Sequence, residues 1–115
     1  MADELDLSRL AGLAELLGSE LPQIVETLVE ELTRALGAID AALADDDLSA
    51  AALAAHAARN SALMIDARPL LDCLDELESS ARRADPGGAR AAQRRLDETW
   101  PPLRSQLHRA AAHKS

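Results

Sequence analysis

Apolar residues recur along the 115-residue chain at spacings of three and four, with polar residues between them. That period places the apolar side chains on one face of an α-helix. The pattern predicts five helices, over residues 7–17, 19–44, 48–65, 69–83 and from 86 onward. The expected buried stripes, helix by helix, are Leu10, Leu13 and Leu17; Ile24, Leu28, Leu32, Leu36, Ile39 and Leu43; Leu48, Ala52, Ala55, Ala58, Ala62 and Ile65; Leu70, Cys73, Leu74, Leu77 and Ala81; and Leu96, Trp100, Leu103 and Leu107.

Aspartate and proline residues mark the predicted helix ends. Asp47 and Asp85 are expected N-caps, because an aspartate side chain accepts a hydrogen bond from a free N–H of the first turn. Pro69 suits the first turn of the fourth helix, since its missing N–H costs nothing there. Proline inside a helix removes a hydrogen bond, so Pro101 is expected to kink or split the last helix. The tail, residues 109–115, is expected to fray.

The composition favours helices throughout. Alanine (25 residues) and leucine (21) are frequent, whereas Val, Ile and Thr number eight in all and Phe and Tyr are absent. Strands favour β-branched and aromatic residues, so the sequence predicts an all-α fold. Short connections between long amphipathic helices favour an antiparallel up-down-up-down four-helix bundle. Residues 7–17 would form a short N-terminal capping helix, and residues 1–115 a single domain.

The charge is uneven along the chain. Residues 1–50 carry 12 acids and 2 bases, residues 51–115 carry 8 acids and 10 bases, and the net charge is −8. An acidic chain with a single tryptophan lacks the basic, aromatic-rich surface of nucleic-acid-binding proteins. The second half tolerates an anionic ligand or modification better than the first.

The single cysteine and the N-terminal sequence indicate the cellular compartment in which we expect the protein. Cys73 is the single cysteine, which excludes an internal disulfide and a cysteine-cluster metal site, and its apolar neighbours favour a core thiol. The N-terminus has neither the basic region nor the apolar run of a secretion signal, and no apolar stretch is long enough to cross a bilayer. We expect a soluble, cytoplasmic protein without a membrane partner.

His56 is the candidate reactive group. It lies in the alanine-rich run "AAHAARNSALMI", one residue past the stripe position Ala55 and so about 100° around the helix from it. It should therefore flank the core, and the small residues around it leave the imidazole uncovered. Leu53 and Leu63 fall on the same side of the helix, and a pair of exposed leucines beside a histidine suits a docking surface.

Two interpretations of His56 are open on spacing alone. A neutral imidazole nitrogen is a competent nucleophile toward phosphoryl donors, and Arg59, one turn further on, is placed to meet phosphate oxygens. The alternative is a solvent-facing histidine with an unrelated arginine, which the spacing by itself favours. A metal site is disfavoured, because no second ligand lies three or four residues from His56. The sequence also lacks the common hydrolase, phosphate-loop and zinc-protease motifs, which argues against an enzyme with its own pocket.

The order of residues around and after His56 resembles the histidine-containing phosphotransfer (HPt) domains of bacterial multistep phosphorelays. Upstream, "LDLSRL" opens the chain as in many members, and "AIDAALADDDLSAAALAAH" is similar to the family's approach to the histidine. The resemblance covers essentially the whole chain. Its pattern is carried by His56, Ala58, Arg59, Asn60, Ser61, Ala62, Ile65, Asp66, Ala67, Leu70, Cys73, Leu77 and Glu78.

The resemblance implies a phosphocarrier that is neither kinase nor phosphatase. His56 would be the phosphoacceptor, through Nε2, and Arg59 would stand where a lysine usually helps to hold the phosphoryl group. The expected partners are receiver domains of a hybrid histidine kinase and of a response regulator. Mg²⁺ belongs to the receiver, so no cofactor of the chain's own is expected. The residues expected to bind the partner of a monomeric carrier are Ala52, Leu53, Asn60 and Leu63.

The chain departs from the family pattern at three positions. Arg59 replaces a lysine, Asn60 replaces a glycine that allows a receiver to approach closely, and Asp66 replaces the glycine that ends the helix. These differences keep a second hypothesis open, namely a bundle that binds a receiver without being phosphorylated. A structural bundle or a kinase dimerisation region is disfavoured, because the predicted helices close a monomeric bundle and no ATP-binding domain is seen.

Overall fold

A computed structural model of the protein describes residues 18–113. After a single 3₁₀ turn at Gly18–Glu20, four helices follow in order. They are α1 (Leu21–Ala44), α2 (Leu48–Met64), α3 (Arg68–Arg82) and α4 (Pro86–His113). The described residues form no strand, which confirms the all-α prediction. The predicted capping helix over 7–17 lies outside the described residues.

The helices pack as a four-helix bundle. Each helix contacts the next one in sequence, and α4 returns to contact α1. The three connections are three residues long, so consecutive helices must run antiparallel, as the sequence predicts. This arrangement places α2 between α1 and α3, and it leaves one side of α2 facing solvent.

The core consists of aliphatic side chains contributed by all four helices. The predicted stripe of α3 is buried in full, and the α2 stripe is buried except for Leu48, which is partly exposed. Ile24, Leu36 and Trp100 are also only partly buried. The buried face of helix α1 is wider than the predicted stripe, so further residues enter the core. These additional buried residues of α1 are Leu21, Val25, Val29 and Ala42.

Helix α2 packs into the core through alanines. Its buried positions are Ala51, Ala52, Ala55, Ala58 and Ala62, and none of them is more than 5% exposed. Methyl side chains allow the backbones of neighbouring helices to approach closely, and close packing holds α2 in one position against α3. The buried alanines of α2 therefore bring the helix against its neighbours, whereas Ala57, next to His56, is exposed.

All three connections have the same backbone structure. Asp46, Asp66 and Ala84 adopt left-handed backbone angles, with φ of 56°, 53° and 58°. In each turn the following N–H bonds the carbonyl five residues back, as in the bond from Asp47 to Ala42 at 2.8 Å. This is the Schellman arrangement, which normally uses glycine at the left-handed position. Asp66 thus ends α2 by taking up the conformation that a glycine would otherwise supply.

Side-chain caps begin two of the helices where the sequence predicts them. The Asp47 carboxylate accepts a hydrogen bond from the Ala50 N–H at 3.0 Å, and Asp85 accepts one from the Gly88 N–H at 3.0 Å. Each bond satisfies a donor that the first turn leaves free. The two aspartates are therefore confirmed as N-caps of α2 and α4.

The predicted split at Pro101 is wrong, because α4 continues through both prolines of "WPPL" to His113. Pro101 and Pro102 are exposed, and so are Asp97 and Glu98, the residues whose carbonyls lose a helical donor. Water can bond carbonyls on this face, so the interruption need not end the helix. The described part of the tail likewise stays helical, and Ala110 packs against the core.

Candidate functional site

His56 lies on the solvent-facing side of α2. Its side chain is 56% exposed, whereas the adjacent Ala55 is fully buried. The structure therefore confirms that the imidazole flanks the core and that no other described segment covers it. The neighbouring helix on this side is α3, and the contacts of His56 come from there.

Glu78 of α3 is the direct partner of His56. Its Oε2 atom lies 3.4 Å from Nδ1 of the imidazole. A carboxylate can only accept a hydrogen bond, so it favours the ring form with a proton on Nδ1. In the neutral ring the lone pair is then on Nε2, the nitrogen that can act as a nucleophile.

The Glu78 carboxylate is mostly buried and yet stays ionised. Its side chain is 16% exposed. Burial by itself raises the pKa, but hydrogen bonds and charge interactions with Arg82 and His56 outweigh burial and lower the pKa of Glu78 below its usual value. Glu78 is therefore available at neutral pH as a negatively charged acceptor for the Nδ1 proton.

Arg82 supplies the cation that Glu78 needs. It lies one turn further along α3 and donates from Nε at 3.0 Å and from Nη2 at 2.8 Å. Both bonds end on Oε2, the same oxygen that faces His56. One oxygen atom thus joins the imidazole of α2 to the guanidinium of α3.

Arg59 makes a second ion pair across the same two helices. Its Nε donates to Oδ1 of Asp75 at 2.6 Å, and both side chains are partly exposed to solvent. The sequence predicted an arginine placed to meet phosphate oxygens, and Arg59 does lie on the helix that carries His56. The structure adds that an α3 carboxylate already holds this guanidinium.

The predicted partner-binding residues differ in how much surface they offer. Leu53 is 68% exposed and Leu63 and Asn60 are exposed as well, so all three are accessible to a partner, and their binding role stays a prediction. Ala52 is a correction: it is 5% exposed and belongs to the core, because its position on α2 faces the bundle. It lies at the floor of a shallow depression that Leu53 and Arg82 also line. Met64, which the sequence analysis did not select, adds a further exposed apolar side chain.

Three charged residues of the site were not assigned a role from the sequence: Asp75, Glu78 and Arg82. All three lie on α3, so nothing in the local pattern of α2 indicates them. A partial signal exists, because Glu78 belongs to the family pattern and Arg82 follows it at the spacing of a helical ion pair. Identifying the contact with His56 also requires the axial register between α2 and α3, which only packing determines.

Two negative findings apply to the described part of the chain. Residues 18–113 contain no cluster of three or more His, Cys, Asp or Glu side chains that could hold a metal ion. No helix in this range combines the length and the hydropathy that a membrane span requires.

Comparison with known families identifies the domain. The family model for the Hpt domain matches residues 23–113, which is most of the chain and includes all of α2, α3 and α4. Neither the comparison with curated proteins nor that with solved structures found a match. Hpt domains are phosphocarriers, not kinases or phosphatases, and they interact with receiver domains in phosphorelays. The chain belongs to the Hpt domain family.

Proposed function

We propose that His56 is the phosphoacceptor of this Hpt domain and that it carries a phosphoryl group between two receiver domains. The donor would be the phosphorylated aspartate of a receiver in a hybrid histidine kinase, and the acceptor the aspartate of a response regulator. The observation that carries the proposal is an exposed imidazole whose Nδ1 faces the Glu78 carboxylate at 3.4 Å.

The chemistry is a pair of reversible transfers. The Nε2 lone pair forms a bond to phosphorus while the bond from phosphorus to the aspartate oxygen breaks, and the aspartate leaves as a carboxylate. The imidazole gains positive charge during this step because its Nδ1 keeps its proton. Glu78 stabilises that charge through the Nδ1 proton, and the second transfer reverses the same events. The Mg²⁺ that assists the reaction would be held by the receiver.

Arg59 would contribute a positive charge to the phosphoryl oxygens. The Asp75 carboxylate bonded to its Nε competes for this guanidinium, and it can be exchanged for the phosphoryl group. Both partners of this ion pair are partly exposed, and pairs of this kind contribute only about 0–1 kcal/mol. A phosphoryl group carries nearly two negative charges, which favours the exchange.

The receiver would dock over the apolar side chains that surround His56. Leu53 and Leu63 lie on the same side of α2 as the histidine and are exposed. Asn60 lies one helical turn from His56, within the area that a receiver must cover to bring its aspartate to Nε2. Its side chain is larger than the glycine of the family pattern and would occupy part of that area.

Phosphotransfer from a labelled receiver tests the assignment. The protein is incubated with a panel of phosphorylated receiver domains, and the protein-bound label is tested for stability to acid and base. We expect base-stable, acid-labile label in the wild type and in His108→Gln, which alters an exposed histidine of α4, but none in His56→Gln. Label that persists in His56→Gln would refute the assignment.

A binding module that is not phosphorylated is the second candidate. The observation in its favour is Arg59, whose Nε is already bonded to Asp75 at 2.6 Å. This candidate predicts stable complexes with a receiver and no label on any histidine. The carrier hypothesis instead predicts that Asn60→Gly preserves or accelerates labelling, because it removes a side chain from the docking area. A large loss of labelling in Asn60→Gly would show that the Asn60 side chain has a role of its own.

A further inference from the structure

The acceptor histidine faces a carboxylate, and that carboxylate presents an electrostatic problem for phosphotransfer. Glu78 faces the Nδ1–H group, but its negative charge lies 3.4 Å from the imidazole that must bind a doubly charged phosphoryl group. Glu78 also cannot escape into solvent, because its side chain is 16% exposed. A nearby cation is needed if Glu78 is to orient the imidazole without repelling the phosphoryl group.

Arg82 meets this requirement by geometry. Its Nε and Nη2 donate to the one carboxylate oxygen that also faces His56, at 3.0 and 2.8 Å. We propose that Arg82 is a positioning residue that neutralises Glu78, so that Glu78 can fix the imidazole ring while the site stays accessible to the phosphoryl group. The inference rests on the proposed function of His56 as the phosphoacceptor.

The charges around the site support this role. Arg59 is paired with Asp75, and Arg82 is paired with Glu78, so the four charged groups sum to zero. Loss of Arg82 would leave one negative charge uncompensated next to the imidazole, on its Nδ1 side. An unpaired charge within a few ångströms of a charged reactant changes the energy of that reactant. The change is large enough to alter the reaction rate by about tenfold or more.

An ion pair one turn apart on a helix usually contributes little to stability when one partner is solvent-exposed, as the Arg82 side chain is. For Arg82 the expected effect is instead on the rate of transfer, because its guanidinium is connected to the imidazole through a single oxygen atom. The neighbouring Arg83 lacks this connection, since it donates to the Ser79 hydroxyl at 2.6 Å. Arg83 is therefore a matched control that carries the same charge, one residue further along the chain.

The test measures the initial rate of His56 phosphorylation by a phosphorylated receiver in five proteins: the wild type, Arg82→Gln, Arg83→Gln, Glu78→Gln and the double variant Glu78→Gln/Arg82→Gln. We expect Arg82→Gln to be about tenfold slower than Arg83→Gln at low salt, with the difference shrinking at about 1 M salt, where screening is strong. In the Glu78→Gln background, Arg82→Gln should cause no further loss. Glutamine keeps an acceptor for the Nδ1 proton but carries no charge, so nothing remains for Arg82 to neutralise.

The outcomes separate this inference from the proposed function. If Arg82→Gln is as fast as Arg83→Gln, or if the double variant is much slower than Glu78→Gln alone, the neutralising role of Arg82 is refuted. The second of these results would mean that Arg82 acts on the phosphoryl group directly. If the wild type is never labelled at His56, the proposed function fails and this inference fails with it. A merely structural role of Arg82 would lower the urea midpoint, would give no salt dependence, and would slow transfer in the Glu78→Gln background as well.

Discussion

Gly88, in the first turn of α4, offers a sharp test of how α3 and α4 are held together. A Cβ atom at this position would lie 2.6 Å from Oγ of Ser80 and 2.6 Å from Oδ2 of Asp85. Ser80 is buried on α3, between Glu78 and Arg82 in sequence, and Asp85 is the N-cap of α4. The substitution Gly88→Ala therefore forces a shift at the joint between α3 and α4.

The size of the effect follows from three contributions. Replacing a helical glycine by alanine stabilises by about 0.5–1 kcal/mol, since alanine loses less conformational freedom on folding. Displacing the Asp85 side chain costs about 1 kcal/mol, because its bond to the Gly88 N–H is lost. Moving a buried side chain to admit an extra methyl group costs about 1–3 kcal/mol. We therefore expect Gly88→Ala to lower the free energy of unfolding by about 1–3 kcal/mol.

Gly37 of α1 provides the matched control. A Cβ there would meet no atom within 4 Å, so only the favourable helix contribution applies. Gly37→Ala should raise the free energy of unfolding by about 0.5–1 kcal/mol. The two variants should thus differ by about 2–4 kcal/mol in urea denaturation followed by circular dichroism.

A Gly88→Ala protein at least as stable as the Gly37→Ala protein would refute this reasoning. That result would mean that Ser80 and Asp85 can move at no cost, so the close approach of α3 and α4 at Gly88 is not a constraint. The rate of phosphotransfer to His56 provides a second measurement. Because α3 also carries Glu78, a displaced α3 should slow the labelling of His56 in Gly88→Ala and leave it unchanged in Gly37→Ala.

Three further predictions concern the turns, the surface and the core. Ala84→Gly should raise the free energy of unfolding by about 0.5–1 kcal/mol, because the left-handed φ of 58° strains an alanine and not a glycine; a lower urea midpoint would contradict this. Partial desolvation of its carboxylate and the charge of Asp40 raise the pKa of Asp97, so ionisation of Asp97 destabilises the fold above its unfolded-state pKa. Asp97→Asn should therefore stabilise the protein at neutral pH, and this gain should disappear below about pH 3; an equal gain at both pH values would exclude the electrostatic cause. Ala58→Leu should cost about 1–3 kcal/mol, since Ala58 is fully buried, while Ala57→Leu on the exposed side should stay within about 0.5 kcal/mol; equal urea midpoints would show that α2 is not closely packed.

Much of the fold could be predicted because it depends on local patterns. The period of apolar residues located α1 to α4, and every predicted core residue of α3 is buried. Asp47 and Asp85 cap helices as expected, since capping involves only residues three apart. The predicted split at Pro101 was wrong because the cost of a proline depends on whether its helix face is exposed, which the sequence does not state.

The candidate site also has one part that the sequence predicts and one part that depends on the packing of the helices. The exposure of His56 follows from its position beside a buried alanine stripe on one helix, so the sequence by itself determined it. The pairing of His56 with Glu78, and of Arg59 with Asp75, was decided only by the tertiary structure. Each of these contacts joins two helices, so it depends on their separation and axial register. The small side chains of α2 allow a short separation between α2 and α3, and the turn through Asp66 sets their axial register. Neither the separation nor the register can be obtained from the periodicity of a single helix.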